Sequence, residues 1–159
     1  MKGKKTVIDV LSGLLKSELT AINQYFLHYE ITEHLGYKRL AKIRRAQSMH
    51  EMKHAEWAME RILSLDASPN VSAYNKINVG KDVLEGLQYD MGLEQEAISF
   101  LNDGIQICYA EGDHVTRELL EKILLDEAEH LEWLKTQLQL IESVGYANYL
   151  TQQIEPGKE

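Results

Sequence analysis

Two four-residue stretches, Glu51-Met52-Lys53-His54 and Glu127-Ala128-Glu129-His130, decide how this chain is read. They stand 76 positions apart, and the same offset carries Glu18 onto Glu94, Leu11 onto Leu87, Ala21 onto Ala97, Ile22 onto Ile98 and Trp57 onto Trp133. Each half therefore holds a lone Glu followed 33 residues later by Glu-x-x-His. Residues three apart on a helix share a face, so each motif aims a carboxylate and an imidazole in one direction. A single Glu-x-x-His on a helix is ordinarily a solvated face. Recurrence at one offset, together with matching apolar positions, points instead to a duplicated unit with a shared chemical purpose.

The sequence around the motifs is helical. Val7, Val10, Leu11, Leu14, Leu15, Leu19, Ile22, Phe26 and Tyr29 recur at steps of three and four, the mark of an amphipathic helix. The pattern predicts helices over about 5–35, 37–65, 81–111 and 114–144, with a short fifth helix over 146–154. Gly36, Gly112 and Gly145 lie where helices should stop. No strand-and-hairpin pattern appears, so the fold class is all-α. Positions 18 and 51 lie equally far from the turn near Gly36, and 94 and 127 equally far from the turn near Gly112. Each lone Glu thus sits level with its own Glu-x-x-His, about 25 Å from the turn at 1.5 Å per residue. Residues 66–80, with Pro69, Asn70, Asn75, Asn78 and Gly80, carry little helical pattern. At about 3.3 Å per residue such a loop can run the length of a helix. The architecture expected is one domain over 1–159, a four-helix bundle with a long crossover between its second and third helices.

Composition narrows the function classes. The chain has 159 residues, 44% hydrophobic and 26% charged, which suits a folded globular protein. Its net charge of −8 disfavours a nucleic-acid or other polyanion partner. The lone Cys108 excludes an internal disulfide and a cysteine-based metal site. No run of 18 apolar residues is present and the MKGKKTVIDV start lacks an apolar signal core, so a cytoplasmic location without membrane contact is expected.

Four carboxylates brought into a bundle core cannot all stay ionised without counter-charge, because desolvation and mutual repulsion oppose it. Two divalent cations balance the charge. Oxygen and imidazole donors without thiolate suit iron or manganese. The expected arrangement has Glu51 and Glu127 bridging, Glu18 with His54 completing one metal position, and Glu94 with His130 the other. Open positions on the metals would accept dioxygen or peroxide. Tyr25 lies two turns after Glu18 on the same stripe. It is a packing residue with a hydrogen bond, or a group that supports the ligands or gives up one electron. A manganese catalase-like or oxygenase protein remains an alternative on ligand types alone. A non-catalytic assembly subunit leaves the repeat unexplained, and a DNA protector would need the basic tail that is absent.

The sequence resembles the bacterioferritins. The resemblance rests on the opening MKG, the run Ala21-Ile22-Asn23-Gln24-Tyr25-Phe26-Leu27-His28, the block Glu51-Met52-Lys53-His54-Ala55, Pro69-Asn70, and the ending Asn148-Tyr149-Leu150. His130 separates it from other ferritins, and the missing cysteines separate it from rubrerythrins. The resemblance implies a ferritin-like fold and a homo-oligomeric, 24-subunit cage built from dimers. It implies a ferroxidase centre of two Fe per subunit that oxidises Fe(II) with O2 or H2O2, and storage of Fe(III) mineral. It also implies haem b shared between two subunits, with Met52 as axial ligand and Leu19, Ile22 and Phe26 lining it. The haem would aid iron release with electrons from a reductase or ferredoxin partner. Position 52 is about 100° round the helix from Glu51, so it should face away from the metals. Met52, Ala55, Met59 and Ile62 would form a second apolar stripe there. The chain departs from many relatives at residues expected on the cavity wall, where Arg44, Ala46, Gln47 and His50 make a less acidic surface. His50 is a candidate inner iron ligand, or a solvated histidine beside Glu51.

Overall fold

The computed structural model describes residues 2–154. Four long helices, α1 (Lys5–His34), α2 (Lys38–Ser64), α3 (Val83–Glu111) and α4 (His114–Val144), precede a short α5 (Tyr146–Thr151). No strand occurs among the described residues. α1 packs antiparallel to α2, and α3 to α4; the two hairpins meet chiefly through α1 against α3.

Local chemistry sets the helix ends. The Asp82 side chain accepts from Glu85 N at 2.8 Å, so α3 begins at Val83 rather than at residue 81. Asp113 caps α4 in the same way, accepting from Thr116 N at 2.9 Å. Gly112 takes φ +76°, the left-handed conformation that closes α3. The fifth helix is shorter than the 146–154 expected from the apolar pattern, because it ends at Thr151. α2 has no side-chain cap, and its first N–H groups need acceptors. The carbonyls of Gln153 and Ile154 supply them, to Arg39 N at 3.0 Å and Lys38 N at 3.3 Å. The chain leaves the helix to make those bonds. Met1 and residues 155–159 of the expected domain lie outside the described residues.

The core divides into two apolar clusters. One gathers Val7, Leu11, Leu14, Ala58, Ile62, Leu101, Leu120 and Ile123; the other gathers Leu40, Val83, Leu87, Leu134, Ile141 and Tyr149. Ala55 and Ile62 are fully buried here, so they do not form the outer stripe expected with Met52 and Met59. Ala55, Ala58 and Ile62 follow one helical stripe that faces inward, and the core wedge is wide enough to take it. Each buried Leu or Ile stabilises the fold by about 1.5–3 kcal/mol, which offsets the cost of the polar layer lying between the clusters.

The connection between α2 and α3 is a crossover that climbs α1 one turn at a time. Asn75 N donates to Thr20 Oγ1 at 2.9 Å, Asn78 N to Gln24 Oε1 at 3.1 Å and Gly80 N to His28 Nε2 at 3.0 Å. Because His28 Nε2 accepts, its proton sits on Nδ1 and is donated to Asp90 Oδ1 at 2.8 Å. Gln24 also donates to Asp90, at 2.9 Å. Arg44 is 2% exposed and lies 3.6 Å from Asp90 while donating to Thr32 at 3.2 Å. The expected place of Arg44 on a cavity wall is therefore corrected. A side chain at Gly86 would come within 3.2 Å of its guanidinium, so the absent side chain there makes room for it. Ala46 is exposed, and Gln47 and His50 are partly so.

Candidate metal centre

Between the two apolar clusters, α1, α2, α3 and α4 each contribute to one polar layer. Glu18, Glu51, His54, Glu94 and Glu127 are buried, and the His130 side chain is 12% exposed. They form two overlapping groups, Glu18–Glu51–His54–Glu127 and Glu51–Glu94–Glu127–His130. Within each group the potential ligand atoms lie within 4.8 Å of one another. Glu51 and Glu127 belong to both, the position the spacing predicts for bridging carboxylates.

The layer has approximate twofold symmetry that mirrors the sequence repeat. His54 Nδ1 lies 2.9 Å from Glu127 and 3.6 Å from Glu18. His130 Nδ1 lies 2.9 Å from Glu51 and 3.6 Å from Glu94. These contacts are short, yet Glu18 Oε2, both Glu51 oxygens, His54 Nδ1, Glu94 Oε2, Glu127 Oε1 and His130 Nδ1 lack properly angled hydrogen-bond partners. Buried polar atoms left this way are costly. Their lone pairs converge on two adjacent spaces, an arrangement that fits a pair of cations and is poor as a hydrogen-bond network.

Crowding of these groups shifts their proton affinities strongly. Burial, reinforced by repulsion from Glu51, pushes the Glu18 carboxyl well above its usual range. Burial and Glu51 do the same to Glu127. Burial also opposes ionisation of Glu51, but its contacts with Glu18, His130 and His54 prevail and hold it well below the usual range. Burial lowers the proton affinity of both imidazoles. Contacts with Glu127, Glu18 and Glu51 outweigh it and raise His54, while Glu51 and Glu94 push His130 up to about 9. Protons thus serve as the counter-charge that cations would otherwise supply.

Tyr25 is buried and donates its hydroxyl proton to Glu94. Burial and the Glu94 charge raise its own proton affinity well above the ordinary value. Leu101 is the repeat partner of Tyr25, so the two halves differ at this point. Met52 is 47% exposed on the outer side of α2, as its position relative to Glu51 requires. Leu19, Ile22 and Phe26 on α1 are half-buried. A thioether and an apolar flank facing outward fit a hydrophobic group held against this surface. His50 is 40% exposed and belongs to a third group with His54 and Asp126.

Two parts of this region escaped the pattern of the sequence. Asp126 is one; the offset of 76 that pairs the Glu-x-x-His motifs also carries His50 onto Asp126 and would have signalled it. Asp90, with His28, Gln24 and Arg44, is the other. Its partners are scattered along the chain without a shared spacing, so only folding reveals them.

Residues 8–144 match the family model described as a ferritin-like domain. The chain is 45% identical over 155 residues to a bacterioferritin of Streptomyces coelicolor, covering 98% of this chain and 93% of that one. It is 42% identical over 152 residues to a bacterioferritin of Mycobacterium leprae, covering 96% of each. A bacterial ferritin of Synechocystis sp. is 42% identical over 155 residues, covering 97% of this chain and 99% of its own.

Proposed function

The chain belongs to the bacterioferritins within the ferritin-like family, and on that premise we propose that it stores iron by oxidising Fe(II) at the buried carboxylate–histidine layer. The observation that carries the proposal is the pair of four-residue groups sharing Glu51 and Glu127. Two Fe(II) ions are the substrate. Each gives up one electron, and the pair reduces dioxygen to hydrogen peroxide, or hydrogen peroxide to two waters, with two protons taken up.

The residues divide the work. Glu51 and Glu127 hold the two ions at a fixed separation. Glu18 with His54, and Glu94 with His130, complete the two positions and supply the negative field that favours Fe(III). Entry of the substrate competes with protons at Glu18, Glu127, His54 and His130, whose proton affinities are all raised. Tyr25 would orient Glu94 through the hydrogen bond from its buried hydroxyl.

Met52, with Leu19, Ile22 and Phe26, would hold haem b against the equivalent surface of a second subunit. When bound, the haem supplies one-electron transfer, and a soft thioether ligand favours its ferrous state. The assembly proposed is a 24-subunit cage of such dimers, cytoplasmic, with a reductase or ferredoxin delivering electrons for release. No helix among the described residues is long and apolar enough to cross a membrane.

The test is anaerobic purification, a mass measurement on the assembly, and Fe(II) titration followed by admission of oxygen. A large assembly and an oxidation amplitude that saturates near two Fe(II) per chain are expected. A monomer, or oxidation no faster than in buffer, overturns the proposal. Met52→Leu should abolish haem binding while leaving Fe(II) oxidation intact; unchanged haem absorption in that variant removes Met52 from the site.

A further inference from the structure

His50 and Asp126 occupy equivalent positions in the two halves, each immediately before the motif glutamate of its own helix. His50 lies four residues before His54 and Asp126 four before His130. The approximate twofold axis therefore brings them face to face beside the metal layer, on α2 and α4. Asp126 Oδ2 lies 2.9 Å from His54 Nε2 and 3.4 Å from His50 Nε2. The other nitrogen of His50, Nδ1, lies 3.0 Å from His130 Nε2. The His50 ring packs against both ligand rings, with centroids 4.9 Å from His54 and 5.0 Å from His130.

These contacts form one chain with only one consistent direction once both ligand histidines present Nδ1 to the cations. A coordinating Nδ1 must be bare, so each ring carries its proton on Nε2. His54 Nε2–H then donates to Asp126. His130 Nε2–H donates to His50 Nδ1, and His50 Nε2–H turns toward the same Asp126 oxygen across a 3.4 Å ion-pair contact. The Asp126 carboxylate ends the chain, hydrogen-bonded to His54 and within ion-pair reach of His50.

We propose that His50 and Asp126 are positioning residues, a hydrogen-bonded strap joining the far sides of the two ligand imidazoles and holding both rings in their metal-binding tautomer and orientation. The inference rests on the two-cation reading of the layer. Because the strap is shared, the two halves are not independent: Asp126 serves His54 directly and His130 through His50. His50 is the link on which the His130 side alone depends.

The experiment uses Co(II) under anaerobic conditions, reading its visible absorption for affinity and its hyperfine-shifted imidazole N–H signals for ring anchoring. In the native chain two Co(II) bind, and both ligand N–H protons exchange slowly. Removing the partner of a ligand imidazole ordinarily weakens metal binding by roughly tenfold to a hundredfold. His50→Leu should weaken one of the two Co(II) steps by roughly that factor and make one N–H exchange fast. His50→Gln, whose amide oxygen can accept and whose amide nitrogen can donate, should restore both. Asp126→Ala should weaken both steps. Two unchanged steps and two slow N–H signals in His50→Leu overturn the strap while leaving the two-cation reading intact. Failure of the native chain to bind two Co(II) overturns the reading itself, and the strap with it. Failure of His50→Gln to recover what His50→Leu loses also overturns the strap, since it would mean that ring packing alone was at stake.

Discussion

Loading the metal layer should expel protons in unusual number. In the free protein Glu18 and Glu127 are raised well above the ordinary 4.5, His54 is raised, and His130 stands at about 9. His130 holds its proton at pH 7 and the other three groups are shifted in the same direction, so two divalent cations displace more protons than unshifted groups would release. Ordinary glutamates and histidines would together release only about half a proton at that pH. His130 alone, about two units above pH 7, adds roughly 3 kcal/mol to the work of binding. The assay is calorimetric titration with Zn(II) in buffers of different ionisation enthalpy, whose slope counts protons released. The sign also fixes a stability trend. All four folded values exceed their unfolded ones, so the stabilisation from these protons is complete at low pH. It is lost as pH rises, the His130 part near 9. Cation-free protein should therefore lose thermal stability on the alkaline side, and saturating Zn(II) should abolish the loss. Release of less than one proton per pair of cations would refute the claim that protons are the layer's resting counter-charge.

Two further outcomes test the frame around the site. Asp90→Ala leaves the buried Arg44 without its carboxylate and His28 without an acceptor. A loss of about 3–5 kcal/mol is expected in denaturant unfolding, with faster proteolysis of the crossover. Asp113→Ala removes the cap of α4 and the partner of Arg61, 3.0 Å away, for about 1–2 kcal/mol. Burial opposes ionisation of Asp113, but the Thr116 N–H and hydroxyl and Arg61 prevail and hold it below 3.8. The difference between variant and native chain should accordingly persist at neutral pH and shrink as pH falls through that lowered value.

Periodicity and repetition alone carried a great deal. Apolar steps of three and four marked the long helices because a helix buries one stripe whatever its neighbours are. The offset of 76 paired Glu18 with Glu94 and each Glu-x-x-His with the other. A duplicated hairpin must place equivalent residues about one axis, so convergence followed from spacing. The direction of Met52, away from the layer, followed from helix rotation. What local pattern could not decide was which polar residues look inward at the other end of the bundle. Arg44 reads as a surface arginine until the crossover, α3 and α5 close over it and Asp90 meets its charge. Ala55 and Ile62 read as an outer stripe until two hairpins pack at a depth that the pattern of one helix does not reveal. The end of α5 was likewise set by a distant need, the bare N–H groups of α2. His50 and Asp126, though linked by the repeat, become partners only when α2 and α4 face each other, because a hydrogen bond depends on ångström-scale distance and angle that no spacing along the chain supplies.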